Sequence, residues 1–116
     1  MIFLPCVMPS GKTRLTFADM LHEIHAESFS YDAARDEVRL KAPGAAGKGG
    51  LGLLDGKGFL VGVDLRGEDG RGSVVMLGPH EAVTETRELG AAVLGDEVVV
   101  PSARSKIRGA EKNPYV

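Results

Sequence analysis

Short apolar runs separated by strong turn signals fill the second half of this chain and restrict the folds that it can adopt. The runs lie at residues 51–54, 59–65, 73–77, 91–94 and 97–100. Asp55-Gly56, Glu68-Asp69-Gly70 and Gly95-Asp96 stand between them, and such sequences are typical of tight turns between neighbouring strands. We therefore predict that residues 51–101 form a small antiparallel β-meander or barrel.

One segment inside this region, residues 81–89, is compatible with two structures. Its threonines favour a strand, because β-branched side chains suit a pleated surface. The spacing of Ala82, Val83, Thr86 and Leu89 also fits one face of a helix. We favour the strand and keep the helix as the alternative.

The first 41 residues predict a strand, a helix and a second strand. Residues 1–8 are apolar and favour a short strand, and residues 36–41 alternate polar and apolar side chains as a half-covered strand does. The spacing i, i+3, i+4, i+7 predicts a helix from about residue 16 to 28, and it is made by Phe17, Met20, Leu21 and Ile24. The predicted fold class is therefore α+β.

The chain is predicted to be a single domain. Residues 42–50 are rich in Gly, Ala and Pro, which predicts a flexible loop between the N-terminal element of residues 1–41 and the meander. Neither side is large enough to form a convincing domain, and 116 residues is an ordinary length for one domain. Residues 102–116 contain four bases and one acid, and we predict a basic tail there.

The composition of the chain indicates its cellular compartment and the classes of partner that it can bind. Cys6 is the only cysteine, so no disulfide forms within the chain and a reducing compartment is favoured. The formal net charge of −2 gives no overall attraction to nucleic acid or to an acidic membrane surface. No segment approaches the roughly 20 apolar residues that span a bilayer. We predict a cytoplasmic protein whose partners are neither nucleic acid nor membrane.

Two motifs resemble nucleotide-binding signatures and fail on context. Ser10-Gly11-Lys12-Thr13 resembles the end of a P-loop, but Cys6 stands where that motif needs its first glycine. Residues 47–52 match G-x-G-x-x-G, yet a turn follows them instead of the helix that would meet a pyrophosphate. Cys6 with one of the three histidines is a conceivable nucleophile–base pair, but Cys6 lies in a predicted apolar strand, where a thiol is normally buried and inert. No serine lies in a G-x-S-x-G sequence. We predict no catalytic residues, no cofactor and no enzymatic activity.

A histidine pair supports an alternative, a protein that binds a metal or another small ligand. His22-Glu23-Ile24-His25 nearly matches the zinc-binding helix motif, whose histidines are four residues apart. On the predicted helix a spacing of three separates their directions by roughly 60°. His80 is the candidate third ligand. The simpler interpretation is that His22 and His25 are partly exposed residues bordering the apolar helical face.

Opposed charge blocks support the leading hypothesis, a non-catalytic protein-interaction or adaptor module in a cytoplasmic complex. Residues 64–100 contain eight acids and three bases, whereas residues 102–116 are basic. The two blocks can pair within the fold or across an interface with a protein partner or a second copy of the chain. The simpler alternative is a solvated face and a frayed tail. The predicted contact residues are Glu81, Glu85, Glu88, Arg104, Lys106 and Arg108.

The second half of the chain also resembles a known family. The strand at residues 58–65 with its terminal Asp64, the Val-rich run at 73–77 and Glu97-Val98-Val99-Val100-Pro101 resemble the PRC-barrel domain over residues 51–107. The first 41 residues have no counterpart in that family. The resemblance implies an assembly or adaptor module without shared catalytic residues. A regulatory subunit of a signalling switch, such as a small-GTPase complex, is a third hypothesis.

Overall fold

The computed structural model describes residues 22–66 and 71–116. Several sequence predictions lie outside these ranges: the strand at residues 1–8, the motif at residues 10–13, the thiol of Cys6 and the beginning of the predicted helix. The turn at residues 68–70 also lies outside them.

Short strands make up most of the described residues. They are β1 (His22–His25), β2 (Ser28–Asp32), β3 (Glu37–Lys41), β4 (Leu51–Leu54), β5 (Leu60–Asp64), β6 (Ser73–Met76), β7 (Glu85–Glu88), β8 (Ala92–Leu94) and β9 (Glu97–Pro101). A single turn of 3-10 helix covers His80–Ala82, and a short α-helix, α1, covers Ala103–Lys106. The prediction of a small, β-rich fold is confirmed, and the strand preference for residues 81–89 is confirmed over Glu85–Glu88.

The strands form two sheets. The first sheet has the order β1-β6-β5-β4-β7, and the second has the order β2-β3-β9-β8. Neighbouring strands are antiparallel except for β1, which runs parallel to β6. The strands of residues 51–101 therefore divide between the sheets, because the β8–β9 hairpin leaves β7 and pairs with β3.

The second sheet has one covered face, which follows from its period-two sequence pattern. Val38 and Leu40 on β3 are fully buried beside Val98 and Val100 on β9, while the intervening side chains point outward. This apolar layer packs against Leu54 and other residues of the first sheet in one continuous core. Such alternation fixes the register, because a shift of one residue would move every apolar side chain to the outer face.

The central strands of the first sheet are buried on both faces. All residues of β5 and β6 are buried, which agrees with their nearly continuous apolar sequences. Val63 and Val75 belong to the core shared with the second sheet, whereas Val61 and Val74 belong to a separate cluster. Only glycine fits at position 62, because an added Cβ would lie 2.7 Å from the Val75 carbonyl oxygen and 2.8 Å from Met76 Sδ.

The helix predicted from about residue 16 to 28 is wrong over its described part. Residues 22–25 form β1, and β2 begins at Ser28. Of the four apolar residues that suggested the helix, only Ile24 is described, and it lies opposite Val75 in the β1–β6 pair. Pairing with β6 outweighs the local helical spacing, since tertiary contacts override weak intrinsic propensity. A strand therefore stands where the end of the helix was predicted, whereas the strand predicted at residues 36–41 is present as β3.

A pair of glycine substitutions tests the close packing of β5 on β6. Gly62→Ala forces atoms of β6 to move, so we expect the free energy of unfolding to fall by about 1–3 kcal/mol. Gly56→Ala is the matched control, because the atom nearest to its added Cβ is Thr84 Oγ1 at 3.8 Å. Urea denaturation measures both variants, and equal stability of the two would contradict this packing.

Candidate functional site

The predicted basic tail is a folded part of the domain. The backbone N–H of Ala103 donates to the Asp36 carbonyl oxygen at 2.9 Å, and that of Arg104 donates to Asp36 Oδ1 at 2.8 Å. The same carboxylate accepts a hydrogen bond from the Tyr31 hydroxyl at 2.9 Å. These bonds attach α1 to the β2–β3 hairpin. Further along, Ile107 and Ala110 are buried in the core. The prediction of a tail is therefore wrong, because these apolar residues bury their side chains.

The last residues of the chain are attached to the turn between β4 and β5 through Asp55. Asp55 Oδ1 accepts backbone hydrogen bonds from Lys57 at 2.8 Å and Phe59 at 2.9 Å. The Tyr115 hydroxyl donates to Asp55 Oδ2 at 2.5 Å. Burial alone would raise the pKa of Asp55, but the bonds from Tyr115 and from the turn outweigh it and lower that pKa. The same bond, together with burial, raises the pKa of Tyr115 to about 12.

Asn113 attaches the same segment to β5. Its Nδ2 donates to the Leu60 carbonyl oxygen at 2.6 Å, and its Oδ1 accepts from the Tyr115 backbone N–H at 2.7 Å. The Tyr115 ring lies against Gly78, where an added Cβ would come within 2.6 Å of the ring. The C-terminal segment is thus held to the sheet at several points far apart in sequence.

A cavity of about 390 Å³ lies where this segment passes the β4–β5 turn. It is lined by Phe59, Arg108, Gly109 and residues 111–114, and we call it the cationic groove. Its volume lies at the small end of the range for ligand pockets. The Arg108 guanidinium lies over the Phe59 ring, with its carbon 5.5 Å from the ring centroid. This arrangement is a cation–π contact that holds the side chain at the edge of the groove.

The charges of the groove are unevenly compensated. Glu111 is 3.8 Å from Arg104 Nη2, so its carboxylate has a cation outside the groove. Within residues 22–66 and 71–116, neither Arg108 nor Lys112 forms an ion pair with a carboxylate. Both side chains belong to exposed residues. The groove therefore presents two positive groups with unused hydrogen-bond donors.

The structure separates the predicted partner-binding residues into different roles. Arg108 lines the groove, and Arg104 is exposed beside the Tyr31 ring. Lys106 Nζ donates to the Leu89 carbonyl oxygen at 2.7 Å, and Arg87 Nη1 donates to the Lys106 carbonyl oxygen at 2.7 Å. The acidic strand β7 and α1 are therefore neighbours, joined through backbone acceptors. Lys106 is used inside the fold, since part of its side chain is buried there.

The predicted acidic contacts lie on and beside β7, the edge strand of the first sheet. Glu85 accepts a hydrogen bond from Arg87 Nη2 at 2.8 Å, so its charge is locally compensated. Glu81 and Glu88 are exposed. Charged residues on an edge strand also discourage pairing with other strands, which gives these residues a purely structural use.

The histidines do not share one surface. His22 and His25 are three apart on β1, so their side chains point to opposite faces of the strand. His80 Nε2 is 3.0 Å from Glu23 Oε1, but the contact lacks hydrogen-bond geometry. In the part of the chain that the structure describes, no three His, Cys, Asp or Glu side chains are grouped to hold a metal ion. The paired-ligand geometry of the predicted helix is therefore absent there.

Two other sequence features have structural roles. The glycine-rich connector at residues 42–50 is attached to the first sheet, where the Ala46 backbone N–H donates to Ser73 Oγ at 3.0 Å. The G-x-G-x-x-G sequence at residues 47–52 runs directly into strand β4, and no helix follows it there. Asp64, the buried acid at the end of β5, pairs with Arg66.

Comparison with known proteins finds no matching family model, no matching curated protein and no matching solved structure. Among residues 22–66 and 71–116, no helix has the length and apolar character needed to cross a membrane.

Tyr115→Phe tests the attachment at Asp55. The variant keeps the ring against Gly78 and removes one donor to a buried carboxylate, so we expect a loss of about 1–3 kcal/mol in the free energy of unfolding. A double-mutant cycle with Asp55→Asn isolates the pairwise contribution. Strictly additive losses would contradict a direct Tyr115–Asp55 interaction.

The shifted pKa values of Asp55 and Tyr115 predict that the stability of the fold falls at both low and high pH. The lowered pKa of Asp55 means that its contribution is present above its ordinary pKa of 3.8 and is lost as pH falls through the folded value. The raised pKa of Tyr115 means that its contribution is present below 10 and is lost as pH rises through about 12. Chemical denaturation across pH measures this, and Tyr115→Phe should flatten the alkaline limb.

Proposed function

We propose that this domain is a non-catalytic protein-interaction module, an adaptor that binds a partner within a cytoplasmic complex. The observation that carries the proposal is the cationic groove, whose two cations have no carboxylate partner among the described residues. A groove with a formed shape and uncompensated charge suits recognition, because electrostatic complementarity gives specificity and fast association.

The positions of the buried carboxylates support binding over catalysis. Asp55 holds the β4–β5 turn and Tyr115, while Asp64 pairs with Arg66. Partly buried Asp36 holds α1. Each of these three carboxylates has a structural partner, whereas a carboxylate that acts as a general base must have an oxygen that the substrate can reach.

The sequence resemblance of residues 51–107 to the PRC-barrel domain agrees with this proposal, since such domains serve as assembly modules. A regulatory subunit of a small-GTPase complex would be one form of the same role. The partner is either another protein or a second copy of this chain.

Surface variants test this proposal better than removal of residues 102–116 does. That deletion would take Ile107 and Ala110 out of the core and remove the Tyr115–Asp55 bond, so lost binding would report unfolding. We therefore choose charge reversals in two patches, Arg108→Glu with Lys112→Glu in the groove, and Glu81→Lys with Glu88→Lys beside β7. All four residues are exposed.

We expect at least one patch variant to weaken binding of a purified partner by about tenfold or more, with an unchanged melting temperature. Ser30→Lys on the exposed face of β2 is the control that should bind normally. Partners identified by crosslinking to the full chain are purified and titrated individually. Binding that survives both patch variants would contradict the proposal, as would a stoichiometric metal ion lost on His22→Ala with His25→Ala.

A further inference from the structure

The polar groups of the cationic groove favour one kind of ligand. Both ends of the Asn113 side chain are occupied, by the Leu60 carbonyl oxygen and the Tyr115 N–H. Glu111 lies near Arg104. The polar lining side chains with no hydrogen bond or ion pair among the described residues are those of Arg108 and Lys112, whose charged groups only donate hydrogen bonds. Negatively charged acceptors satisfy such donors best, because hydrogen bonds between two charged groups are the strong ones.

The floor of the groove adds an apolar requirement. The Phe59 ring and Pro114 line it, and Gly109 brings the backbone close to the ring. Gly109 has φ +61°, and an added Cβ would lie 2.6 Å from Phe59 Cε1. Its missing side chain therefore lets the segment approach the Phe59 ring. A ligand that fills this space needs an apolar group beside its negative charges.

The positions of the two cations favour one source of negative charge. Phosphate sites commonly use several free backbone N–H groups. The two cationic residues of the groove do not offer such groups, because the Arg108 N–H donates to the Gly58 carbonyl oxygen at 3.0 Å and the Lys112 N–H donates to the Gly109 carbonyl oxygen at 2.8 Å. The cations stand on separate side chains four residues apart, an arrangement that suits carboxylates spaced along a peptide better than a single compact phosphate.

We propose that the cationic groove binds an acidic peptide segment of a partner protein. One apolar side chain of the segment packs on Phe59, and flanking carboxylates pair with Arg108 and Lys112. This inference rests on the proposed adaptor function and specifies the chemistry that the partner must offer.

The test is fluorescence polarisation with the full chain and a labelled peptide in which a central Leu is flanked on both sides by Glu pairs. Two further peptides replace every Glu by Gln, or the Leu by Ser. We expect the acidic peptide to bind, and each altered peptide to bind at least about tenfold more weakly. Affinity should also fall as salt increases, because the contacts are exposed charge pairs.

Matched protein variants locate the site. The variant Arg108→Glu with Lys112→Glu should bind the acidic peptide about tenfold or more weakly than the unchanged protein. The variant Arg108→Lys with Lys112→Arg keeps both charges and should retain most of the affinity. Arg35→Glu with Lys41→Glu makes the same change in net charge at exposed positions outside the groove, and it should bind as the unchanged protein does. Circular dichroism confirms that each variant is folded.

Several results would overturn this inference. Equal binding of the Gln peptide would remove the role of charge, and equal losses in the groove and control variants would remove the location. Stronger binding of inorganic phosphate at the groove would assign it to phosphate. Sedimentation that shows a dimer abolished by the groove variant, without peptide binding, would assign it to a second copy. If a purified partner binds only through Glu81 and Glu88, the adaptor function stands and the groove assignment fails.

Discussion

The groove depends on the buried carboxylate of Asp55. An ionised carboxylate inside a protein is costly unless its oxygens accept hydrogen bonds, and Asp55 accepts them from the turn it begins and from Tyr115 near the end of the chain. One side chain therefore shapes the β4–β5 turn and holds the C-terminal segment beside it. Phe59 enters the groove from the turn, whereas Arg108 and Lys112 enter from the segment. The Arg108 N–H bond to the Gly58 carbonyl oxygen and the Asn113 bond to the Leu60 carbonyl oxygen join the same two walls.

Much of the β-rich fold could be predicted because its signals are local. The turn at Gly95-Asp96 and the alternating residues of β9 predict a hairpin without any knowledge of distant partners. The region before residue 51 was harder, since Ile24 fits a helical stripe as well as a strand. Its strand structure comes from parallel pairing with β6, about fifty residues away in the chain. No local spacing contains that information.

In the candidate site, too, local features could be predicted from the sequence and tertiary contacts could not. Arg108 was predicted as a contact residue from its charge alone, and it lines the groove. Charge also selected Lys106, whose ammonium instead donates to the Leu89 carbonyl oxygen. Phe59, Asn113 and Tyr115 were missed, because an aromatic after a glycine-rich turn and an Asn-Pro-Tyr sequence each have ordinary local explanations. The Asp55-Gly56 turn was recognised, but the bond from Asp55 to Tyr115 is a tertiary contact that no local pattern contains.

The binding proposed for the groove benefits from walls that hydrogen bonds already hold in place. Association is weakened when loops and side chains must become ordered, so walls fixed in advance leave more of the contact energy for affinity. Here Asp55 and Tyr115 do not line the groove but help to hold its walls, while the lining residues Arg108 and Lys112 are exposed. The charge that stabilises the fold and the charges proposed to bind a partner are consequently different groups of the same region. The exposed charges of the groove can change with little effect on the fold, whereas a change at Asp55 alters both the fold and the shape of the groove.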